Sequence, residues 1–482
     1  MGRTRRSLFV QFLTTGLTAV FQLAYVYILS RFLKPDEFGA SGVVLGAVSV
    51  LSLLGHAGLG SALIQRKEID KEYVDSAVLF NLFSGILLAA LLILFNHQIA
   101  YLFGDERLVL YLTWIAPVLP LSVLYKCYNA ILLRKMQFVA LGLIELFSMS
   151  TAMVAGIVLV QYGKGVMALI YASILQYSLL FVLNYYFART RFSWTYRREK
   201  LKELLPFSYK VTGLKVIDLL LNESVLLIVG PFIGLSKTGM IERTQKLANT
   251  PASMAGEVLH KVFLSNFSST HSTEENYRSI QIIMKITLAI ALPFTFLFSL
   301  HSGFITHLVF GDNWSVLVGP LGVLMLIVPF RILYRICNTY LQALGKPERV
   351  IYGNLFVLAM VTGAFAIMKE STVEMYCRII LMGSAVQALI VVFGVEQSIR
   401  SYRWEFFRSA LVYSPLILGV WCIHQASVFI VSGYSFVEEV SGIALEVAAL
   451  FFLVVLYLQL MPKGFRLEII FDALLSRKKQ TN

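Results

Sequence analysis

The chain has 482 residues, of which 57% are hydrophobic and 14% charged, with a formal net charge of +13 and a mean hydropathy of +0.74. A soluble chain of this size carries roughly 25% charged residues, so too few charges are present here to cover a water-facing surface. Apolar stretches long enough to cross a bilayer recur from end to end, which excludes a large soluble domain and, despite the positive charge, a nucleic-acid-binding protein.

The first apolar run, from Ser7 to Leu33, follows Arg3, Arg5 and Arg6. It is too long for the core of a signal peptide and lacks a small-residue cleavage site, so it reads as an uncleaved first span. Further spans are expected near 39–64, 77–103, 109–133, 139–160, 166–187, 206–234, 239–263, 284–309, 316–344, 350–368, 375–398, 406–431 and 437–461. The expected fold is therefore an all-α integral membrane protein of about fourteen transmembrane helices, because a backbone facing lipid must satisfy its own hydrogen bonds. A β-barrel would need alternating ten-residue strands in place of these continuous apolar runs.

The cations fall mainly in alternate connections. About 25 Lys and Arg residues lie in the termini and even-numbered loops, against about 6 in the odd-numbered loops, which places both termini in the cytoplasm and requires an even number of spans. The richest connection holds Arg189, Arg191, Arg197, Arg198, Lys200 and Lys202, and its stretch from Arg197 to Leu205 reads either as an amphipathic interfacial linker or as a solvated basic loop.

The sequence repeats itself at an interval of about 200 residues. Thr15-Gly16-Leu17 answers Thr212-Gly213-Leu214, and Phe103-Gly104-Asp105 answers Phe310-Gly311-Asp312. Pro120-x-x-x-Leu124-Tyr125-Lys126-x-x-Asn129 answers Pro329-x-x-x-Leu333-Tyr334-Arg335-x-x-Asn338. Six spans separate the copies, so both enter from the same side. The expected plan is two parallel six-helix repeats followed by two C-terminal helices, divided at 1–187, a basic linker 188–205, 206–398 and 399–482.

Ionisable residues within spans are costly and mark functional positions. Lys126, Lys215, Arg243, Lys246, Arg331 and Arg335 are candidates for a cationic cavity suited to a phosphate or pyrophosphate, whereas Lys215–Asp218 and Glu242–Lys246 could instead neutralise each other locally. Glu145, Asp218 and Glu223 are the candidate ion-coupling acids. The four cysteines, Cys127, Cys337, Cys377 and Cys422, sit in apolar segments as free thiols. There is no phosphate-binding G-x-x-x-x-G-K-[ST] loop, no metal-spaced histidine pair and no Ser/His/Asp constellation, so neither an ATPase, a cofactor, a metal nor catalytic chemistry is expected.

Several segments carry a family resemblance. Ser30-Arg31-Phe32-Leu33-Lys34-Pro35-Asp36-Glu37-Phe38-Gly39 resembles the start of polysaccharide (Wzx-type) flippases of the multidrug/oligosaccharidyl-lipid/polysaccharide (MOP) superfamily. Arg243-Thr244-Gln245-Lys246-Leu247-Ala248-Asn249-Thr250-Pro251 is similar to a family signature, departing from it at Ile241 and Thr244. Gly311-x-x-Trp314 and Leu341-Gln342-Ala343-Leu344-Gly345-Lys346-Pro347 resemble two further landmarks, and the fourteen-span plan is like the colanic-acid exporter branch. The resemblance implies a MATE-like fold and a flippase moving an undecaprenyl-pyrophosphate-linked oligosaccharide across a bacterial inner membrane, for O-antigen, capsule or exopolysaccharide. It implies alternating access driven by an ion gradient or potential, and a polyprenyl groove at spans thirteen and fourteen. Membrane lipids, a polysaccharide polymerase and a chain-length regulator are the implied partners. A multidrug-type antiporter and a membrane polymerase or ligase are the alternatives; the cationic excess disfavours the first and short outer loops the second.

Overall fold

A computed structural model describes the chain except residues 1–15, 19, 67, 191, 223–227, 251, 253–279, 283, 344–347, 368–371, 398–404, 431–435 and 461–482. The described residues contain helices and no strand, as lipid as a solvent demands. In chain order these are α1 (Gly16–Leu29), α2 (Pro35–His56), α3 (Leu59–Gln65), α4 (Lys71–Leu94), α5 (Asn96–Phe103), α6 (Arg107–Ile115), α7 (Val118–Arg134), α8 (Phe138–Gln161), α9 (Val166–Ala188), α10 (Arg198–Asn222) and α11 (Gly230–Ile233). They continue with α12 (235–250), α13 (Ile280–Leu300), α14 (Ser302–Val309), α15 (Val318–Met325), α16 (Ile327–Ala343), α17 (Glu348–Ile367), α18 (Val373–Glu396), α19 (Glu405–Tyr413), α20 (Pro415–Ile430) and α21 (Phe436–Leu460).

Among the described residues, ten helices are long and apolar enough to cross a membrane, and an eleventh span arises if the segments Asp312–Met325 and Ile327–Leu341, bent by 41°, form one crossing. The expected spans one, seven and eight fall on α1, α10 and α12. Those helices are short, charged or described only in part, so the count of fourteen remains an expectation. Contacts group the chain into two units. One is Met1–Arg243 with Val309–Gly311 and Leu358–Ser371; the other is Thr244–Leu308, Asp312–Val357 and Thr372–Asn482.

In the first unit, α2, α4 and α7 pack through buried polar contacts. Asn81 donates to the Val123 carbonyl at 3.2 Å and to the Cys127 Sγ at 2.8 Å, the Ser84 hydroxyl donates to the Gly55 carbonyl at 2.7 Å, and Ser52 and Ser122 join hydroxyl to hydroxyl. Lipid supplies no hydrophobic drive for helix association, so small residues and hydrogen bonds of about 0.6–2 kcal/mol hold such helices together. The basic stretch before Pro206 begins α10 and runs through that proline without a break. Its cations meet acids at the start of α4: Lys200 lies 2.8 Å from Asp70, Arg197 3.4 Å from Glu72, and Glu203 reaches back to Arg66. The Lys200 ammonium holds the Asp70 carboxyl below its ordinary range.

The second unit has its core on α13, α16, α18, α19, α20 and α21, around Leu297, Cys337, Tyr340, Val392, Tyr413 and Leu450. A buried polar chain crosses it: Gln387 donates to Asn354 Oδ1 at 3.0 Å, and Asn354 donates to the Tyr334 hydroxyl at 2.7 Å. Asn354→Leu is expected to cost roughly 1–3 kcal/mol, because both neighbours lose a partner in a medium that offers none. The readout is the unfolding midpoint of the purified protein, and an unchanged midpoint rejects the network's role.

The repeated motifs take equivalent places. Each Phe-Gly-Asp turn follows an eight-residue helix, α5 or α14, with its glycine at positive φ, 66° at Gly104 and 86° at Gly311, a region that favours a residue without Cβ. Asp105 binds Arg107, whose hydrogen bonds hold its carboxyl below the usual range, and Asp312 lies 2.8 Å from the His307 Nδ1.

Candidate functional site

The segment from Ser30 to Gly39 and helix α12 build a closely packed charged site in the first unit. Pro35 opens α2, where a missing N–H costs nothing. The Glu37 carboxylate accepts from the Lys34 N–H at 2.9 Å, which satisfies a donor that the helix leaves free. Gly39 then meets α12 without a side chain between them. A Cβ on Gly39 would lie 2.0 Å from the Leu235 carbonyl oxygen, and one on Gly239 would lie 2.3 Å from the Pro35 carbonyl oxygen and 2.5 Å from the Gly39 nitrogen. That close approach carries Arg243 to the Phe38 ring, 4.5 Å from guanidinium carbon to centroid. Arg243 also pairs with Glu242 at 3.0 Å, and the two side chains are only 10% and 8% exposed. A desolvated cation over an aromatic face gains up to about 2 kcal/mol. The local pair described is thus Glu242–Arg243.

The other candidates fall as follows. Lys126 is half-buried on α7, its main chain facing Gly60 of α3. Its neighbour Tyr125 meets Tyr177 with the rings tilted by 55°, centroids 6.0 Å apart, and stands within electrostatic reach of Glu145 on α8. Asn129 donates to Asn184 of α9 at 3.5 Å. In the second copy Arg335 is exposed and Arg331 half-buried. They sit one helical turn apart on α16 and share a face. Lys246 is exposed on α12. Lys215 and Asp218 lie on α10, where only the backbone is described, and Glu223 lies outside the described residues. Within the first unit the structure brings Arg243 to Phe38 and Glu242; within the second it aligns Arg331 with Arg335.

One ionisable cluster has no counterpart in the sequence reading. His301 at the C-terminal end of α13, His424 of α20 and Glu446 of α21 meet in the second unit, their ligating atoms all within 4.8 Å of one another. Each is an ionisable residue in an apolar span, which is the signal that could have flagged it. Their separation along the chain hides the grouping.

These features define a polytopic α-helical membrane protein with charge concentrated at specific helix crossings. Residues 28–319 match the family described as polysaccharide biosynthesis protein. The chain belongs to that family, which bears out the resemblance seen in the Ser30–Gly39 segment. It is similar to the succinoglycan biosynthesis transport protein ExoT of Rhizobium meliloti, with 26% identity over 81% of this chain and 78% of the relative. Its fold is that of the lipid II flippase MurJ in an inward closed conformation, with a TM-score of 0.75 and 11% identity over 94% of this chain and 99% of that one. A multidrug resistance MATE family transporter of the MOP superfamily shares the fold at a TM-score of 0.61 and 19% identity, over 82% of this chain and 98% of that one. The chain is thus a membrane protein of the polysaccharide biosynthesis family whose fold is shared with MurJ and a MATE transporter.

Proposed function

We propose that this transporter flips an undecaprenyl-pyrophosphate-linked oligosaccharide from the inner to the outer leaflet of a bacterial inner membrane, both termini being cytoplasmic. The observation that carries this reading is the pair Lys126 and Arg335, cations at equivalent positions of the two repeat copies on α7 and α16. A pyrophosphate is the part of such a lipid that cations recognise, by charge-assisted hydrogen bonds of about 1.5–3 kcal/mol each. Lys215, Lys246, Arg243 and Arg331 join them as phosphate-binding residues, and the polyprenyl chain stays in lipid beside α20 and α21. Glu145, Asp218 and Glu223 are the acids through which an ion gradient drives the cycle, by alternating access of residues 1–187 and 206–398. ExoT and MurJ, named for succinoglycan transport and lipid II flipping, support the substrate class.

The test is export in cells lacking the native protein, with membrane levels measured in parallel. Lys126→Ala, Lys246→Ala and Arg335→Ala are each expected to lower surface polysaccharide by about ten- to a hundredfold, the kinetic equivalent of one lost charged contact. Normal export by all three variants rejects the cationic site. Reconstitution with labelled lipid-linked oligosaccharides then tests the substrate, and failure to move any of them rejects the lipid-linked cargo.

A further inference from the structure

We propose that His301, His424 and Glu446 form a binding site for a divalent transition-metal ion of the zinc class, which staples the last two helices to α13. The site is built from three helices. His301 Nε2 lies 2.8 Å from one Glu446 oxygen, and His424 Nδ1 lies 3.2 Å and 3.3 Å from the two oxygens. The imidazole rings stand at 88° with centroids 5.0 Å apart, so both nitrogens aim at the same carboxylate from different sides. Zinc bonds of about 2.0–2.1 Å in a tetrahedron put ligand atoms about 3.3 Å apart. The nitrogen-to-carboxylate spacings lie close to that value, and the two nitrogens, within 4.8 Å of each other, draw together around the ion.

The chemistry of the donors selects the metal class. Two imidazole nitrogens and one carboxylate suit zinc and its neighbours, whereas calcium and magnesium take oxygen sets. Three protein ligands leave one position for water. The Ser427 hydroxyl already donates to Glu446 Oε1, the kind of supporting hydrogen bond that orients a ligating carboxylate. Charge points the same way. Glu446 is almost fully buried at 2% side-chain exposure, while His301 and His424 keep 13% and 17%. A carboxylate at that depth requires a counter-charge, and the partly open histidines leave a way in. The consequence is structural. Helices α20 and α21 lie beyond the two repeats, and the ion ties both of them to α13 of the second copy.

The test uses the full-length protein in detergent with its affinity tag removed, since a histidine tag binds zinc itself. Equilibrium dialysis against zinc, followed by metal analysis, is expected to find one ion per chain, and zinc is expected to raise the unfolding midpoint reversibly to a chelator. His301→Gln and His424→Gln should each weaken binding by more than the about ten- to hundredfold that outer contacts contribute, and should abolish the zinc-dependent rise in midpoint. Cobalt bound to the unaltered protein should show the intense visible bands of a four-coordinate ion, a readout that stands even if both variants fold poorly. No stoichiometric zinc, zinc binding undiminished in both variants, or only the weak bands of six-coordinate cobalt overturns the proposal and leaves a hydrogen-bonded triad.

Discussion

Gly39→Leu and Gly239→Leu are each expected to abolish polysaccharide export and to lower the unfolding midpoint of the purified protein. The first turns of α2 and α12 cross with backbone against backbone. A Cβ at either position falls 2.0–2.3 Å from a carbonyl oxygen, so no rotamer change relieves the clash and the helices must part. Overpacking costs about 1–3 kcal/mol where side chains can give way, and a backbone collision costs more. Parting the helices also draws Arg243 from the Phe38 ring and breaks the burial of Glu242. Gly16 and Gly213 are internal controls, since nothing stands within 4 Å of a Cβ at either. Alanine at Gly213, within α10, should be neutral or slightly stabilising because it restricts the unfolded chain. Unfolding can be followed with a thiol-reactive dye, because Cys127, Cys337 and Cys377 are buried in the folded protein. Wild-type melting and export in both leucine variants would show that the two helices do not approach this closely.

The second large effect concerns the Glu242–Arg243 pair. Arg243→Gln removes the guanidinium that lies 3.0 Å from the buried Glu242 carboxylate, and breaking a pair withdrawn from water costs roughly 3–5 kcal/mol. Replacing both partners, as Glu242→Gln with Arg243→Met, removes the unmatched charge and should restore most of the stability. Such a double replacement is often neutral, because the attraction of the pair is offset by the cost of desolvating it. Export separates the two roles of Arg243. If the guanidinium also binds the pyrophosphate, the double variant is as stable as the wild type but transports at least about tenfold less, the equivalent of one charged contact. Recovery of export along with stability would assign Arg243 to the helix crossing alone.

Much of this was legible in the residues. Lipid as solvent forces helices onto long apolar runs, so composition and hydropathy determined the class. The Pro120 and Pro329 segments place the same residue types, Pro-x-x-x-Leu-Tyr-Lys/Arg-x-x-Asn, near the start of α7 and of α16. The Ser30–Gly39 segment marked the family because each of its positions is constrained: Pro35 starts a helix, Glu37 caps it, Phe38 receives a guanidinium and Gly39 admits a second backbone.

Partnership was not legible. The sequence offers Lys246 as a neighbour of Glu242 by its helical spacing, and the fold adds Arg243 beside Glu242 and sets that cation over Phe38 of a distant helix. The basic residues before Pro206 read as a linker lying on the membrane or in water, and the structure seats them on Asp70 and Glu72. The histidines of α13 and α20 are uninformative singly and become a cluster with Glu446 only when three helices pack. The apolar sequence by itself determined that the chain is helical and membrane-embedded, because those properties follow from the solvent and from local periodicity. Which charges neutralise one another, and where two backbones touch, was decided by the tertiary structure alone, because a charge in lipid takes whichever partner the packing of distant helices brings within a few ångströms.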